Sequence, residues 1–494
     1  MKFDFANNTW IDTGKNPDQL AYTASDGDFT LQQFYDQVQR LVAVLNRLNI
    51  PVGHPVIIYG HKEKMFPVAI AACFTLQLPY VPMDIIYPEE RVQRVQKLCS
   101  SDIIIYTSDK KLNMDFAITI DKDLHCTVHN PPQFAVPDSH FPHDPTRYII
   151  FTSGSTGEPK GVQITNSALC SWIKWLQEDH YFRPDDVFIN QVPFSFDVSL
   201  YDIAYLLHFE GSVIYNDADT AMNANKFLQR ISYYKGSVWI STPSFVYIYI
   251  REKNFNEGYL PSLHYFILAG EALPGNTVRK IRQQFARSKV VNSYGPTEAT
   301  VTVTYVDVST EMTEKYPTVP IGFVKRETEI LIQNPDEGGV GEMLIVGDNV
   351  SIGYLRRPDL NAERFTTANG KRAYHTGDLG YYKDGLLFYI GRNDDQIKLN
   401  GYRIELDEIA EVMKNLHGVA NAACIVLRVN GVPRKIIGFL CSTESIDKAN
   451  LKTQLSTTLP HYMVPDDVMQ VEQIPMNANG KTDRKLLEEW YLKR

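Results

Sequence analysis

Tyr148, Ile149, Ile150 and Phe151 read as a strand that runs into a segment rich in anion donors. Thr152, Ser153, Ser155 and Thr156 offer hydroxyls, Gly154, Gly157 and Gly161 offer bare backbone, and Lys160 offers an ammonium. Glycine lets N–H groups crowd round an anion, and hydroxyls and a cation complete the cradle. That chemistry suits polyphosphate. The order G-x-x-x-x-G-K-[ST] fits nowhere here, since Lys160 precedes Gly161, so this is not a Walker A loop. The competing reading is a plain Gly/Ser surface loop.

Three further constellations follow. Asn292, Ser293 and Tyr294 precede Gly295-Pro296, which forces a turn and presents the Thr297 hydroxyl and Glu298 carboxylate together. Hard oxygens of this kind suit Mg²⁺ shared with a nucleotide phosphate, and Tyr294 offers a face for a purine; an ordinary turn with a solvated Glu is the alternative. Asp378 closes the run Tyr374-His-Thr-Gly-Asp at the end of a strand, with Tyr389, Ile390, Gly391 and Arg392 shortly after. A carboxylate can accept both hydroxyls of a ribose, so Asp378 and Arg392 are candidates for that task, while His375 reads as structural. Finally, Gly480-Lys481 sits in a tight loop before a short helix, where a solvated lysine is the competing reading.

The elements that must hold these residues are legible in outline. Residues 30–48 place Leu31, Phe34, Val38, Leu41, Val42 and Leu45 on one helical face behind a Thr30 cap. Strand-like runs at 55–59, 80–82 and 103–106 then alternate with helical stretches through Ile70 and from Pro88, and 211–215 and 236–240 look like further strand starts. Such alternation predicts βα units and a mostly parallel sheet. Short strands at 386–390, 396–399, 422–429 and 436–441, with helices at 405–416 and 449–459, suit a small α+β domain. The expected fold is therefore α/β, with a large N-terminal domain of βα-type sheets covered by helices (1–394) and a small C-terminal α+β domain (395–494). A polar junction at 391–395 joins them.

Composition narrows the class. A chain of 494 residues exceeds one ordinary core. The net charge of −9 argues against nucleic acid as a partner. The amino terminus has no apolar signal core, and the nearly apolar stretch 67–76 is too short to span a bilayer, so no stable membrane insertion is expected. Six scattered cysteines without a C-x-x-C pair read as buried small hydrophobes in a reducing, cytoplasmic setting.

In this order, T-S-G-S-T-G-x-P-K-G, Y-G-P-T-E, Y-x-T-G-D, G-R-x-D-x-Q-I-K-L-x-G-Y-R-I-E and N-G-K-x-D-R-K resemble the adenylate-forming superfamily over residues 20–490. That superfamily contains acyl-CoA synthetases, luciferases and amino-acid adenylation domains, and the pattern is most similar to D-alanine–D-alanyl carrier protein ligases. The resemblance implies that residues 152–160 wrap the β- and γ-phosphates of ATP. Asn292, Ser293 and Tyr294, with Gly295 and Pro296, would contact adenine, Thr297 and Glu298 would serve phosphate and Mg²⁺, and Asp378, Arg392 and residues 389–391 would border the ribose. Asp394 would be the hinge. Lys481 would bridge the substrate carboxylate and the α-phosphate, where a cation stabilises the charge that develops.

The same resemblance implies that Asp197 pairs with a substrate ammonium in a pocket lined by Val198, Tyr201, Ile240, Ile267, Ala269, Ser293, Val301 and Thr302. That lining suits a small uncharged amino acid, with a phosphopantetheine-bearing carrier protein as the second partner. Ala269 departs from the pattern, since D-alanine ligases place cysteine there; the smaller residue enlarges the pocket beside Cα and weakens the expectation of D-alanine. A stand-alone adenylation enzyme for L-alanine or L-proline is the nearest alternative. A CoA ligase would leave Asp197 unpaired in apolar surroundings, and a non-catalytic relative would have no use for Glu298 and Lys481.

Overall fold

The computed structural model describes residues 1–129, 134, 144–154, 158–180, 182–429, 432–442, 447–476 and 482–493. The chain divides into two compact units. One comprises Met1–Asp84, Cys99–Ile150 and Gly161–Asn393; the other comprises Ile85–Leu98, Phe151–Lys160 and Asp394–Arg494.

The first unit is built on sheets whose strands follow the expected alternation. Val56–Gly60 lies between Tyr80–Asp84 and Ile103–Tyr106, all parallel, and Tyr148 of Thr146–Thr152 pairs with Tyr80. A second sheet runs Ser212–Tyr215, Val187–Asn190, Val238–Ser241, Tyr265–Ala269 and Lys289–Tyr294, again parallel, before Thr304–Asp307 joins antiparallel. The helix at Leu31–Asn46 begins as its sequence dictates. Thr30 Oγ1 accepts from Gln33 N at 3.2 Å and Gln33 Oε1 accepts from Thr30 N at 2.9 Å, a reciprocal cap. Met65–Thr75 is buried on every side from Met65 to Phe74, which is where most of the apolar run 67–76 goes. Among the described residues no helix is long and apolar enough to cross a membrane.

A third sheet departs from the expectation. Thr328–Gln333, Gly341–Gly347, Lys371–Lys383, Phe365–Ala368 and Leu386–Arg392 pair antiparallel. Residues 386–390, expected among the strands of the last hundred residues, belong here. Asp384 and Gly385, with φ of 53° and 77°, make the turn that folds them back on Lys371–Lys383. Asp378 is accordingly in mid-strand rather than at a strand end.

In the second unit Gln396–Leu399 and Tyr402–Glu405 form a hairpin through Asn400-Gly401, with φ of 51° and 86°. Val419–Val429, Val432–Ser442 and Asp467–Gln470 form a sheet, with helices Leu406–Lys414, Lys448–Thr458 and Arg484–Leu492. Ile404, Ile409, Met413, Cys424, Leu440 and Leu455 give this unit its own core. All six cysteines are free, but Cys126 is exposed on the edge strand Cys126–Val128, contrary to the expectation of burial.

One core group carries a pH signature. His180 is enclosed by Trp175, Phe182 and Tyr305, and its Nδ1 lies 3.2 Å from the Tyr265 hydroxyl. Burial pushes the imidazole from 6.5 down to about 3. Below pH 6.5 the unfolded chain takes up a proton that the folded chain refuses, so this contribution is whole above that pH and is lost as pH falls towards 3. Melting temperatures measured between about pH 7 and pH 4.5 should therefore fall less steeply in His180→Phe than in the wild type.

Candidate functional site

Three parallel strands present the inferred pocket. Ile240 sits opposite Ile267, Ile267 opposite Val291, and Ala269 opposite Ser293. Strand alternation therefore puts Ile240, Ile267, Ala269 and Ser293 on one face, and all four are buried. Asp197 arrives after Val187–Asn190, opening the 3₁₀ turn Asp197–Ser199 that leads into Leu200–His208. It is buried, Val198 is half-buried, and Tyr201 is wholly enclosed.

Val301 and Thr302 return to this face through a tight reversal. Val303 N donates to Tyr294 O at 2.7 Å, and a Cβ on Gly295 would lie 2.5 Å from Thr302 Cα, so only glycine fits there. Thr300 and Val301 carry φ of 60° and 66°, costly for β-branched residues. Asn349 holds the strained pair: its carbonyl accepts from Thr300 Oγ1 at 2.7 Å, and its Nδ2 donates to Ala299 O at 3.0 Å. The reversal delivers Thr302 Oγ1 to within 2.7 Å of the Tyr201 hydroxyl, and Trp172 Nε1 donates to the same oxygen at 3.3 Å. The Tyr201 ring meets Trp172 edge-on at 4.9 Å. Burial pushes the Tyr201 phenol up to about 12; hydrogen bonds with Thr302 and Ser293 oppose this, and the Asp197 carboxylate adds to it.

The nucleotide candidates of this unit also come together. Tyr294 donates through its hydroxyl to Asp378 Oδ2 at 2.6 Å, and Arg392 donates to Asp378 Oδ1 at 2.6 Å and to Thr376 O at 3.1 Å. Burial and the Asp378 carboxylate hold the Tyr294 phenol well above its ordinary range. The Tyr389 ring lies 6.2 Å from that of Tyr294, Ile390 is exposed and Gly391 half-buried. Asn292 Nδ2 donates to Pro320 O at 2.8 Å, and Ser293 Oγ to Thr304 O at 2.7 Å. Pro296 and Thr297 are half-buried, whereas Glu298 is wholly buried and its Oε1 accepts from the Tyr354 hydroxyl at 2.7 Å. An enclosed carboxylate beside a hydroxyl-bearing neighbour is a donor set that fits a hard divalent cation.

In the second unit the residues flanking the glycine-rich loop already hold anions. Gly154 N donates to Glu408 Oε2 at 3.0 Å, and Lys160 Nζ lies 3.2 Å from Glu405 Oε1. Arg91 pairs with the other Glu408 oxygen at 2.9 Å, and Gln396 Nε2 donates to Glu405 at 2.6 Å. Burial raises the Glu408 carboxyl and Arg91 pulls it back. Thr152 Oγ1 reaches Lys160 O at 3.5 Å, and Ser153 Oγ donates to Arg403 O at 2.9 Å. A Cβ on Gly154 would lie 2.0 Å from Glu158 O. Asp394 Oδ1 accepts from Gln396 N at 3.3 Å. Ser155, Thr156, Gly157 and Lys481 lie outside the described residues.

A fold with this arrangement of sheets and site residues defines an adenylate-forming enzyme, which uses ATP. Residues 11–355 match the AMP-binding enzyme family and residues 408–481 match the AMP-binding enzyme C-terminal domain; the chain belongs to that family. It is 35% identical over 492 residues, 96% of each chain, to a D-alanine–D-alanyl carrier protein ligase of Bacillus cytotoxicus. It is 36% identical, with the same coverage, to the ligase of that name from Bacillus mycoides. Among solved structures it resembles the Vibrio cholerae adenylation domain AlmE in complex with glycyl-adenosine-5'-phosphate. The TM-score is 0.84 and the identity 22%, over 100% of this chain and 98% of the other.

Trp172, Asn349 and Tyr354 were not reached by sequence reasoning. Each acts on a residue at least 50 positions away, and no local pattern marks it. The Trp172–Thr302–Tyr201 node is open to a direct test. Thr302→Val keeps the shape but removes the partner of a buried indole N–H and one of the two hydrogen-bond partners of a buried phenol, and should cost about 1–3 kcal/mol of stability, measured by denaturant unfolding.

Proposed function

We propose that this enzyme activates a small uncharged amino acid, D-alanine by preference, and passes it to the phosphopantetheine thiol of a separate carrier protein. The observation that carries the reading is the pocket. A buried carboxylate, Asp197, acts electrostatically on Tyr201, whose hydroxyl bonds Thr302 beside the apolar Ile240, Ile267 and Ala269. An ammonium would find its partner in Asp197, and the uncharged lining suits a small side chain. The name carried by the relatives from two Bacillus species supports D-alanine and the carrier protein.

In the first half-reaction a substrate carboxylate oxygen attacks the α-phosphorus of ATP and pyrophosphate leaves. In the second the thiol attacks the acyl carbon, loses its proton and expels AMP. Thr152, Ser153, Gly154, Ser155, Thr156, Gly157 and Lys160 hold the phosphates, and Tyr294, Asn292 and Ser293 border the adenine. Asp378 and Arg392 fix the ribose from the pre-set Tyr294–Asp378–Arg392 arrangement. Glu298, with Thr297 beside it, would hold Mg²⁺, which would supply charge neutralisation at the phosphates. Lys481 would bridge the two anions that must meet, the substrate carboxylate and the α-phosphate. Residues 1–394 form the catalytic body and 395–494 a mobile domain turning about Asp394, which carries Lys481 in for the first step and out for the second. A cytoplasmic location accords with the ATP requirement and six free cysteines.

The second reading is an adenylation enzyme for a small L-amino acid, and Ala269 is what favours it. Pyrophosphate exchange across D- and L-amino acids tests both. Asp197→Ala should lose amino-acid activation yet keep ATP binding, a loss of about 2–5 kcal/mol for a buried charge left alone. Undiminished activation by that variant would point instead to a simple carboxylic acid. For a D-alanine enzyme, Ala269→Cys should sharpen the D-over-L ratio of kcat/KM by no more than about 10–200-fold. For an L-amino-acid enzyme the added sulfur should lower activity. Strict D-alanine specificity in the wild type would show that the room beside Ala269 does not set the stereochemistry.

A further inference from the structure

A lysine outside every motif is the most expensive buried group near this pocket. Lys62 is wholly buried at the end of Val56–Gly60. Its ammonium donates to Asn190 Oδ1 and to the Val192 carbonyl, and stands 4.1 Å from the centroid of the Phe194 ring. Asn190 passes the contact on, donating through Nδ2 to the buried Asp202 carboxylate. Burial lowers the Lys62 ammonium and raises the Asp202 carboxyl, while Asp202, Asp84 and Glu63 draw the lysine back towards its charged form. A buried pair of this kind is weak evidence for stability, since apolar groups of the same volume often serve a fold as well.

What the lysine grips is more telling. Residues 191–196 are the irregular link between Val187–Asn190 and the turn that carries Asp197, with no strand ladder to fix them. Of the groups round the ammonium, the Asn190 side chain, the Val192 carbonyl and the Phe194 ring belong to this link or its root, and the Tyr215 ring lies farther off at 5.5 Å. Phe66 stacks on the other side of Phe194 at 4.5 Å, and Gln191 Nε2 donates to the carbonyl of the pocket residue Ile240 at 2.9 Å. The link is therefore clamped from both ends of the pocket wall.

We propose that Lys62 is a positioning residue of the amino-acid site: it fixes residues 190–194 through the Val192 carbonyl, the Asn190 amide and the Phe194 ring, and so sets where the Asp197 carboxylate lies. This rests on the reading of Asp197 as the partner of the substrate ammonium. Lys62 touches no substrate and acts only through the link.

The test is Lys62→Met in the full-length enzyme, which fills the space without charge. Pyrophosphate exchange is followed with D-alanine and with propionate, which has the same carboxylate and carbon chain but no ammonium. The KM for D-alanine should rise by as much as about 100-fold, the cost of a ligand group misplaced by an ångström, while the KM for ATP and the turnover of propionate hold. An equal fall for D-alanine and propionate, or a lower melting temperature with an unchanged KM, would overturn the proposal. Should Lys62→Met fail to fold, Phe194→Leu removes the ring beneath the ammonium and should raise the D-alanine KM in the same selective way; no selectivity there overturns it equally. Asp197→Ala run alongside separates the two ideas. If it leaves the D-alanine KM unchanged, the reading of the pocket itself fails; if it raises that KM and the Lys62 and Phe194 variants do not, only the role of Lys62 falls.

Discussion

The return of the chain from Tyr294 to Thr302 is the constraint on which much of the first unit depends. Eight residues after Tyr294 the backbone must come back to the same strand end, and two β-branched residues accept left-handed conformations to do it. Gly295 permits the close approach, and Asn349 holds the strained pair from outside. Three consequences follow from this one reversal. Glu298 is turned inward to Tyr354, Thr302 is delivered to Tyr201 and Trp172, and Tyr294 stays on the strand with its hydroxyl on Asp378. Strain of this sort persists only where neighbours over-determine it, and here Asn349 does so through Thr300 and Ala299.

A second constraint is the handling of buried charge. Asp378, Glu298, Asp197 and Lys62 are all enclosed, and an enclosed ion is tolerated only with hydrogen-bonding partners. Asp378 has a phenol and a guanidinium, Glu298 a phenol, and Lys62 an amide, a carbonyl and a ring. None of these arrangements is an efficient source of stability, because desolvation offsets most of the attraction. Their effect is geometric: each fixes a charged group to rigid strands before any ligand arrives, so that little reorganisation is left for binding. In the second unit Lys160 and Gly154 obey the same rule with Glu405 and Glu408.

Local signals in the sequence predicted what local interactions decide. The Thr30–Gln33 cap, the stripe from Leu31 to Leu45 and the alternating strands at Val56–Gly60 and Ile103–Tyr106 are written in residues a few positions apart. The third sheet was missed because its register is set by pairing between separate segments, such as Ile345 with Tyr374, and not by a local pattern. Motif order singled out Asp378, Arg392 and Glu298 as candidates for ribose and phosphate chemistry, and the family resemblance added Asp197. It was silent about the groups that hold them. Trp172 lies 130 positions from Thr302 and Lys62 lies 128 from Asn190, and neither distance leaves a trace in a local pattern.

The pocket also shows how a small apolar space can discriminate more sharply than its volume suggests. One methylene in an apolar pocket is worth only about 1–3 kcal/mol, so walls of Ile240, Ile267 and Ala269 alone would exclude larger side chains weakly. Here the far wall is closed by hydrogen bonds rather than by bulk, for Trp172 donates to Thr302 Oγ1 and the Tyr201 and Thr302 hydroxyls bond each other. A longer substrate side chain, on the proposed reading, must displace that node and leave buried donors unsatisfied, at about 1–3 kcal/mol for each. Steric and polar costs then add against size. On the proposed reading, handedness at Cα would gain nothing from this node and would be left to the wall at Ala269, so that size selectivity and stereoselectivity would rest on different residues of one pocket.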